Sequence, residues 1–186
     1  MSILIDRRTT VLIQGITGHE GQRATREMLS YKTRVVAGVT PGKGGQKTPN
    51  GIPVYNTVGE ALRAQPTINT SLVTVPAAFA ADATLEAIWH NIPLINILTE
   101  KMPVADVARC LYWAAQRHVR LVGPSSVGII TPRQAKLGAI GAAELVNRVF
   151  TPGPVGVISK SGGMTAELSR LLTTNDIGQS TALGIG

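Results

Sequence analysis

The sequence contains a single cysteine, Cys110, and few aromatic residues, which make up 4% of its 186 residues. One cysteine excludes an internal disulfide framework and a paired-cysteine metal site, so we predict no metal centre and a buried apolar role for Cys110. The net charge is +7, but Lys and Arg are scattered along the chain rather than grouped. Scattered cations and few aromatics argue against nucleic-acid binding and favour either a solvated basic surface or affinity for small phosphorylated ligands.

Long apolar runs are absent as well. No stretch approaches the roughly 20 residues that cross a bilayer, and the Met1–Asp6 start is too short for a signal peptide. We therefore predict a protein without membrane partners, located in the cytoplasm or an organelle matrix. Hydrophobic residues still make up 44% of the chain, which is enough to bury a sizeable core.

Strand-like apolar runs alternate with helical patterns, which is typical of parallel α/β sheets. Strands are predicted at Thr10–Ile16, Arg34–Val39, Ile52–Tyr55, Ser71–Val75, Pro93–Leu98 and Arg120–Val122. Helices are predicted at Glu20–Tyr31, Thr57–Gln65, Ala78–His90 and Pro103–His118, with Pro103 in the first helical turn. We expect a Rossmann-like domain with a parallel sheet over residues 1–124.

The remaining third of the chain has a less regular pattern. Gly123–Lys136 mixes turn residues with two isoleucines, Ala142–Val149 indicates a short helix, and Thr151–Pro154 indicates a linker. A strand at Val155–Ser159, a helix at Thr165–Thr174 and a strand at Thr181–Ile185 then predict a second βαβ unit. We expect a connecting segment over residues 125–154 and the incomplete start of a flavodoxin-like α/β domain over 155–186, in a fragment or in a chain that a partner completes.

A glycine motif, Gly15–Gly21 with the spacing GxxGxxG, lies between the first predicted strand and its helix. Backbone N–H groups and the positive end of the helix dipole can hold a phosphate there. The alternative is a purely structural role in a tight turn. A parallel α/β context favours the phosphate site, because such crevices form at the carboxyl edge of the sheet.

A second glycine loop, Val39–Gly45, carries Lys43 at a place where NAD sites have an acidic residue that binds the ribose. A cation there favours a phosphorylated ribose, as in coenzyme A or NADP, although a mobile loop with an incidental lysine is the alternative. Leu98–Glu100 follows from the end of the predicted strand Pro93–Leu98 and points to the same crevice. The alternative is that Glu100 only interacts favourably with the dipole of the next helix. Val75–Phe79 supplies an apolar wall.

A third candidate is the segment Ser159-Lys160-Ser161-Gly162-Gly163, between a predicted strand and helix. Its N–H groups, hydroxyls and cation can surround an anion. The alternative, with which that role is compatible, is that Ser161 is an ordinary helix N-cap.

Several segments, taken in order, resemble the α subunit of succinyl-CoA synthetase and related nucleoside-diphosphate-forming acyl-CoA ligases. They are Gly15–Gly18, Val39–Gly45, Val54–Val58, Val75–Ala77, Leu98–Glu100, Ile129–Pro132 and Gly178–Thr181. The resemblance covers essentially the whole chain. It implies a ligase of the tricarboxylic acid cycle type whose N-terminal domain binds coenzyme A, with nucleotide and Mg²⁺ on a partner β subunit.

The resemblance also implies roles for individual positions. The coenzyme A-binding positions are Thr17, Gly18, His19, Glu20, Lys43, Leu98, Thr99 and Glu100. The family's phosphorylated histidine lies in a Gly-His-Ala-Gly-like segment that this sequence lacks, and Ser159–Gly163 would face it. His90 and His118 end predicted helices, so we expect no catalytic residue in this chain and no activity from it alone.

Two departures from the family favour an acid other than succinate. Ala166 stands where succinate-specific members have a tyrosine, and Gly123-Pro124-Ser125 replaces Gly-Pro-Asn. The choice between ADP and GDP stays open. Two alternative functions are a free-standing coenzyme A-binding or regulatory module and an NADP-dependent oxidoreductase domain, since fold alone does not decide function.

Overall fold

The structure, a computed structural model, describes residues 3–141 and 145–186. Its strands are β1 Thr10–Gln14, β2 Arg34–Val39, β3 Val54–Tyr55, β4 Thr70–Val73, β5 Leu94–Ile97, β6 Arg120–Val122, β7 Gly128–Thr131, β8 Ala135–Gly138, β9 Pro152–Ser159 and β10 Gln179–Gly184. Its helices are α1 His19–Ser30, α2 Val58–Ala64, α3 Ala77–Trp89, α4 Val104–Gln116, α5 Val146–Val149 and α6 Gly162–Thr174. None of the helices in these ranges is long and apolar enough to span a membrane.

The first sheet has six parallel strands in the order β3-β2-β1-β4-β5-β6. This is the Rossmann order, in which the chain reverses direction across the sheet between β1 and β4. The predicted Rossmann-like fold is therefore confirmed. Some predicted ends are wrong by one to three residues: β1 ends at Gln14 because Gly15, with φ +88°, turns the chain out of the strand, and Pro103 is the N-cap of α4 rather than part of its first turn.

Two apolar cores cover the two faces of this sheet. One contains side chains of α2, α3 and α4, including Ala61, Ile88 and Cys110. On the other face, α1 contributes Ala24 and Met28, and strands of a second sheet, together with Ile5 before β1, contribute much of the rest. The second sheet thus covers part of this face of the first sheet, where a doubly wound fold would have helices.

That second sheet has the order β8-β7-β10-β9, with β9 and β10 parallel and β7 antiparallel to both β10 and β8. The predicted second βαβ unit is present as β9-α6-β10. The β7–β8 hairpin was not predicted. The predicted linker Thr151–Pro154 is wrong, because β9 begins at Pro152. Two prolines are compatible with a strand here because β9 is at the edge of the sheet and pairs on one side.

The predicted connecting segment, residues 125–154, contains β7 and β8 and so shares the second sheet with residues 155–186. The domain limits at residues 124 and 154 themselves stay predictions. Within the predicted helix Ala142–Val149, α5 covers Val146–Val149, and residues 142–144 lie outside the described part of the chain.

A buried ion pair joins α1 to the second sheet. The side chain of Lys136 on β8 is fully buried, and its Nζ donates to Glu27 Oε2 at 2.7 Å and to the Gly141 carbonyl at 2.7 Å. Burial lowers the pKa of Lys136, although the Glu27 carboxylate acts in the opposite direction. The charge is tolerated because both of these oxygens point at it.

We predict that Glu27→Gln lowers the free energy of unfolding by about 3–5 kcal/mol, because the Lys136 ammonium then has no counter-charge in the core. Removing the carboxylate also lowers the pKa of Lys136 further, so the folded variant binds fewer protons than the parent. Its deficit should therefore shrink as the pH rises from about 7 to about 10. Urea unfolding at several pH values measures both effects.

Glu167→Gln is the matched control, because Glu167 pairs with Arg170 on the exposed side of α6. Exposed pairs contribute little, so this variant should unfold like the parent. Equal losses in the two variants, or a Glu27→Gln deficit that grows with pH, would contradict the role given to the buried pair.

Candidate functional site

Six of the eight predicted coenzyme A-binding residues lie at the carboxyl edge of the first sheet, where the loops after β1, β4 and β5 converge, whereas Thr17 and Lys43 contact each other beside it and do not line the cleft there. A cleft of about 510 Å³ opens there, and we call it the charged cleft. Its lining comprises Gly18, His19, Glu20, Arg23, Thr74, Val75, Pro76, Leu98, Thr99, Glu100, Ser125, Ser126, Val127 and Ala139. The last four residues lead into or follow strands of the second sheet, so the cleft lies between the two sheets.

The N-terminus of α1 faces this edge and leaves donors available. Gly18 is the N-cap and offers no side-chain cap, and the structure gives no acceptor among the described residues to the N–H groups of His19 and Glu20. Gly21 brings the helix against the turn: a Cβ there would lie 2.3 Å from the Gly15 carbonyl oxygen. This geometry is that of a phosphate-binding helix N-terminus.

A chain of hydrogen bonds joins the two glycine loops. Lys43 Nζ donates to Thr17 Oγ1 at 3.2 Å, Thr17 Oγ1 donates to Thr40 Oγ1 at 3.2 Å, and Thr40 Oγ1 donates to the Val39 carbonyl at 2.9 Å. Each hydroxyl uses its single proton once, so the three bonds are mutually consistent. The ammonium group is thereby held beside the first glycine turn, as the sequence predicts for a shared crevice.

The loop that carries Lys43 has no free backbone donor between residues 42 and 45. The N–H groups of Gly42 and Gly44 donate to Asn56 Oδ1 at 2.9 and 3.0 Å. Those of Lys43 and Gly45 donate to the carbonyls of Thr40 and Val54, each at 3.0 Å. This loop therefore presents one ammonium group to a ligand and does not form a backbone cradle for a phosphate.

Leu98, Thr99 and Glu100 line the charged cleft, where the sequence predicts them. The Thr99 hydroxyl donates to the Val75 carbonyl at 2.7 Å, which ties the end of β5 to the end of β4. Its proton is used within the protein, so towards a ligand Thr99 can accept a hydrogen bond but not donate one. Glu100 is exposed at the rim.

Polar and charged side chains of α1 form a series of contacts at the mouth of the cleft. His19 Nδ1 lies 3.1 Å from Glu20 Oε1, and Arg23 Nη2 lies 3.0 Å from Glu20 Oε2. Arg23 Nε then lies 4.0 Å from Glu27, the partner of buried Lys136. Arg23 was not predicted as a site residue. It offsets the Glu20 carboxylate, which would otherwise oppose an anion at this helix end.

An apolar groove of about 640 Å³ lies on the other side of Val75 and Pro76. Its lining comprises Gln14, Gly15, Val39, Pro41, Val75, Pro76, Phe79, Asp82, Ala83 and Glu86. The predicted apolar wall after β4 therefore separates the charged cleft from the groove. Val75 and Pro76 line both of these pockets, whereas Phe79 lines the groove. The Gly15–Gly18 turn also contributes to both.

Another cavity, of about 670 Å³, lies at the opposite, amino edge of the first sheet and includes His118 and Arg120. Ligands of open parallel sheets bind at the carboxyl edge, so this cavity is not the candidate site. His90 is the C-cap of α3, with its ring against Gly59. Neither histidine lines the charged cleft, and no group of metal-binding side chains is found within residues 3–141 and 145–186.

The segment Ser159–Gly163 leads into α6. Ser161 is the N-cap, and its hydroxyl accepts from Met164 N–H at 3.3 Å; Ser159 Oγ accepts from Ser161 N–H at 3.1 Å. Lys160 is exposed. Gly162 packs against Val127, which lines the cleft, because a Cβ there would lie 2.3 Å from Val127 Cγ1. The N-cap role is present, and the anion-binding role stays a prediction.

Two further predicted positions are in the interior. Ala166 is half-buried against the core of the second sheet and does not line the charged cleft. Cys110 is fully buried against α3, and burial raises the pKa of its thiol to about 11. Such a thiol is unreactive at neutral pH, which confirms the structural role predicted for it.

A comparison with known families matches residues 6–101 to the CoA binding domain. The match covers more than half of the chain, from the residues before β1 to those after β5. The chain belongs to the CoA-binding domain family. Both glycine loops and the Leu98–Glu100 segment fall within the range that defines the family.

Relatives with curated names are similar over the whole chain. The succinate–CoA ligase (ADP-forming) subunit α 2 of Archaeoglobus fulgidus is 44% identical over 186 residues, covering 100% of this chain and 62% of the relative. The corresponding α subunit of Methanothermobacter thermautotrophicus is 45% identical over 184 residues, covering 99% and 60%. The predicted resemblance is confirmed, and this CoA-binding chain spans about three fifths of the length of these relatives.

Solved structures agree on the fold. ATP citrate lyase from Methanothrix soehngenii, in complex with citrate and coenzyme A, has a TM-score of 0.87 at 25% identity and covers 99% of this chain and 32% of its own. Acetyl-coenzyme A synthetase 1 of Ca. Korarchaeum cryptofilum has a TM-score of 0.75 at 18% identity, covering 96% and 38%. The second likeness is one of fold alone.

We predict that Gly21→Ala costs about 1–3 kcal/mol of stability, because the added methyl group meets the Gly15 carbonyl and must push α1 away from the turn. Gly163→Ala is the control: it is also in the first turn of a helix, but its nearest neighbour for a new Cβ is Ser161 Oγ at 3.9 Å. Thermal unfolding of both variants tests this. A Gly21→Ala variant as stable as Gly163→Ala would refute the close approach.

Proposed function

We propose that this chain is the coenzyme A-binding part of the α subunit of an ADP-forming acid–thiol ligase. One arrangement carries the proposal: the apolar groove and the charged cleft adjoin at Val75 and Pro76, and the glycine turn that positions Lys43 contributes to both. A divided site of this kind suits a long ligand with an aromatic base, phosphates and a flexible arm.

Coenzyme A fits the chemistry of these residues. Its adenine suits the apolar groove, its phosphates suit the Lys43 ammonium and the free N–H groups of His19 and Glu20, and its arm has amide N–H groups that Thr99 Oγ1 can accept. Bound coenzyme A would supply the thiol that takes the acyl group. This chain's own part is to bind and orient that cofactor at the boundary of the two sheets.

The finer assignment is supported by the relatives, which are named as α subunits of ADP-forming ligases. We propose a β-subunit partner that binds nucleotide and Mg²⁺. The phosphoryl-carrying histidine is proposed to be none of His19, His90 and His118, because the first belongs to the coenzyme site and the others lie away from the cleft. Ala166, at the position of the family's tyrosine, favours an acid other than succinate.

Calorimetric titration of the purified protein with coenzyme A and with NADPH tests the proposed ligand. We expect saturable binding of coenzyme A and a much weaker response to NADPH, because the charged cleft suits an extended arm that NADPH lacks. Competition by 3′,5′-ADP should reduce coenzyme A binding through the shared groove. Tight NADPH binding without any response to coenzyme A would overturn the proposal.

We predict that Lys43→Ala weakens coenzyme A binding by about 1.5–3 kcal/mol, the worth of one charge-assisted contact to phosphate. Dephospho-coenzyme A should be affected much less, because it lacks the 3′-phosphate. Lys47→Ala, in the same exposed loop, is the control for charge alone and should leave both affinities unchanged. A similar loss in the Lys43 and Lys47 variants would assign the effect to general electrostatics.

A further inference from the structure

Asn56 holds the loop that carries Lys43, although the sequence analysis gave it no role of its own. Its Oδ1 accepts from the N–H groups of Gly42 and Gly44, the residues on either side of the lysine. Both partners are donors, so only the carbonyl end of the amide can face them and the orientation of the side chain is fixed. Two hydrogen bonds at one oxygen clamp the backbone on both sides of Lys43.

Asn56 is in turn anchored to α2. Its N–H donates to Glu60 Oε2 at 2.9 Å, and the N–H of Glu60 donates to Thr57 Oγ1 at 3.1 Å. Thr57 and Glu60 thus form a variant of the capping box, which fixes the first turn of the helix. These hydrogen bonds connect α2 to the loop that carries Lys43, so the position of the loop is fixed relative to the helix.

The packing around Asn56 leaves it little freedom. A Cβ at Gly44 would lie 2.3 Å from Asn56 Nδ2, so the glycine is required for the close approach of the loop. Thr40 N–H also donates to the Tyr55 carbonyl at 3.0 Å, which ties the start of the loop to the residue before Asn56. Held at both ends and in the middle, the loop has few positions in which to place its lysine.

We infer that Asn56 is a positioning residue for phosphate recognition and acts through Lys43. The inference rests on the proposed coenzyme A function. Asn56 provides an acceptor without a negative charge, whereas an aspartate would accept the same two hydrogen bonds but place a carboxylate against the backbone on both sides of Lys43. The amide therefore fixes the lysine without neutralising it.

The test is a double-mutant cycle with Asn56→Ala and Lys43→Ala, titrated with coenzyme A and dephospho-coenzyme A. We expect Asn56→Ala to weaken coenzyme A about tenfold and dephospho-coenzyme A less than about twofold. In the Lys43→Ala background the same substitution should change coenzyme A affinity less than about twofold, because there is no lysine left to position. An effect that persists in that background, or equal losses for both ligands, overturns the inference.

Amide hydrogen exchange reports the loop directly. The N–H groups of Gly42 and Gly44 should exchange faster in Asn56→Ala but stay protected in Asn56→Asp, which retains the acceptor. Asn56→Asp should also bind dephospho-coenzyme A like the parent and coenzyme A more weakly. Gln46→Ala, which removes an exposed amide from the same loop, is the control and should change neither exchange nor affinity.

The outcomes of these experiments distinguish a failure of the positioning role of Asn56 from a failure of the proposed coenzyme A function. If coenzyme A does not bind the parent protein, the proposed function fails. If coenzyme A binds and Lys43→Ala weakens it while Asn56→Ala does not, the function stands and the positioning role is wrong. Protected glycine amides in a folded Asn56→Ala variant would also refute that role.

Discussion

The position of the second sheet depends on one apolar face of the first sheet that the helices cover incompletely. A parallel sheet has two apolar faces, and both must be buried. In the described residues, α2, α3 and α4 enter the core on one face, but α1 is the one helix that enters the core on the other. Ile129, Leu137 and Leu183 of the second sheet, together with Ile5, fill much of the remaining area. The hydrophobic demand of the first sheet therefore decides where the hairpin and β10 lie.

This arrangement also creates the site. Because the second sheet covers the area beside α1, residues 125–127 and Ala139 come to face the end of β5 and the start of α1 across the charged cleft. Ser126 marks the joint: its Oγ is within hydrogen-bonding distance of Asn96 on β5 and Gly184 on β10. The buried Lys136–Glu27 pair fixes the same junction further along α1. A ligand in the cleft would contact residues next to both sheets, so the packing of the sheets would set its geometry.

Sequence reasoning found the features that depend on neighbours along the chain. The strands of the first domain, the GxxGxxG turn and Leu98–Glu100 follow from local periodicity and from the rule that ligands bind at the carboxyl edge. The β7–β8 hairpin escaped because its short strands are buried and lack alternation. The roles of Thr40 and Asn56 were not predicted because they arise from contacts between residues 12 to 23 positions apart. The available signals were the capping-box residues Thr57 and Glu60 and the place of Asn56 in the segment Val54–Val58 that carries the resemblance.

The two glycine-rich loops have similar compositions but differ in whether their backbone N–H groups are already hydrogen-bonded. Around Gly18 the glycines let a helix start close to the sheet with free N–H groups, so the backbone itself is the candidate anion site. Around Lys43 every backbone N–H from residue 42 to 45 is already bonded, so an anion there would have to be bound by a side chain. Under the proposed function, a lysine on a loop that is held at several points discriminates by position as well as by charge, because the backbone limits where the ammonium group can reach. Under the proposed function, the bonding of the backbone N–H groups, rather than the number of glycines, would decide which loop binds a phosphate through its backbone and which through a side chain.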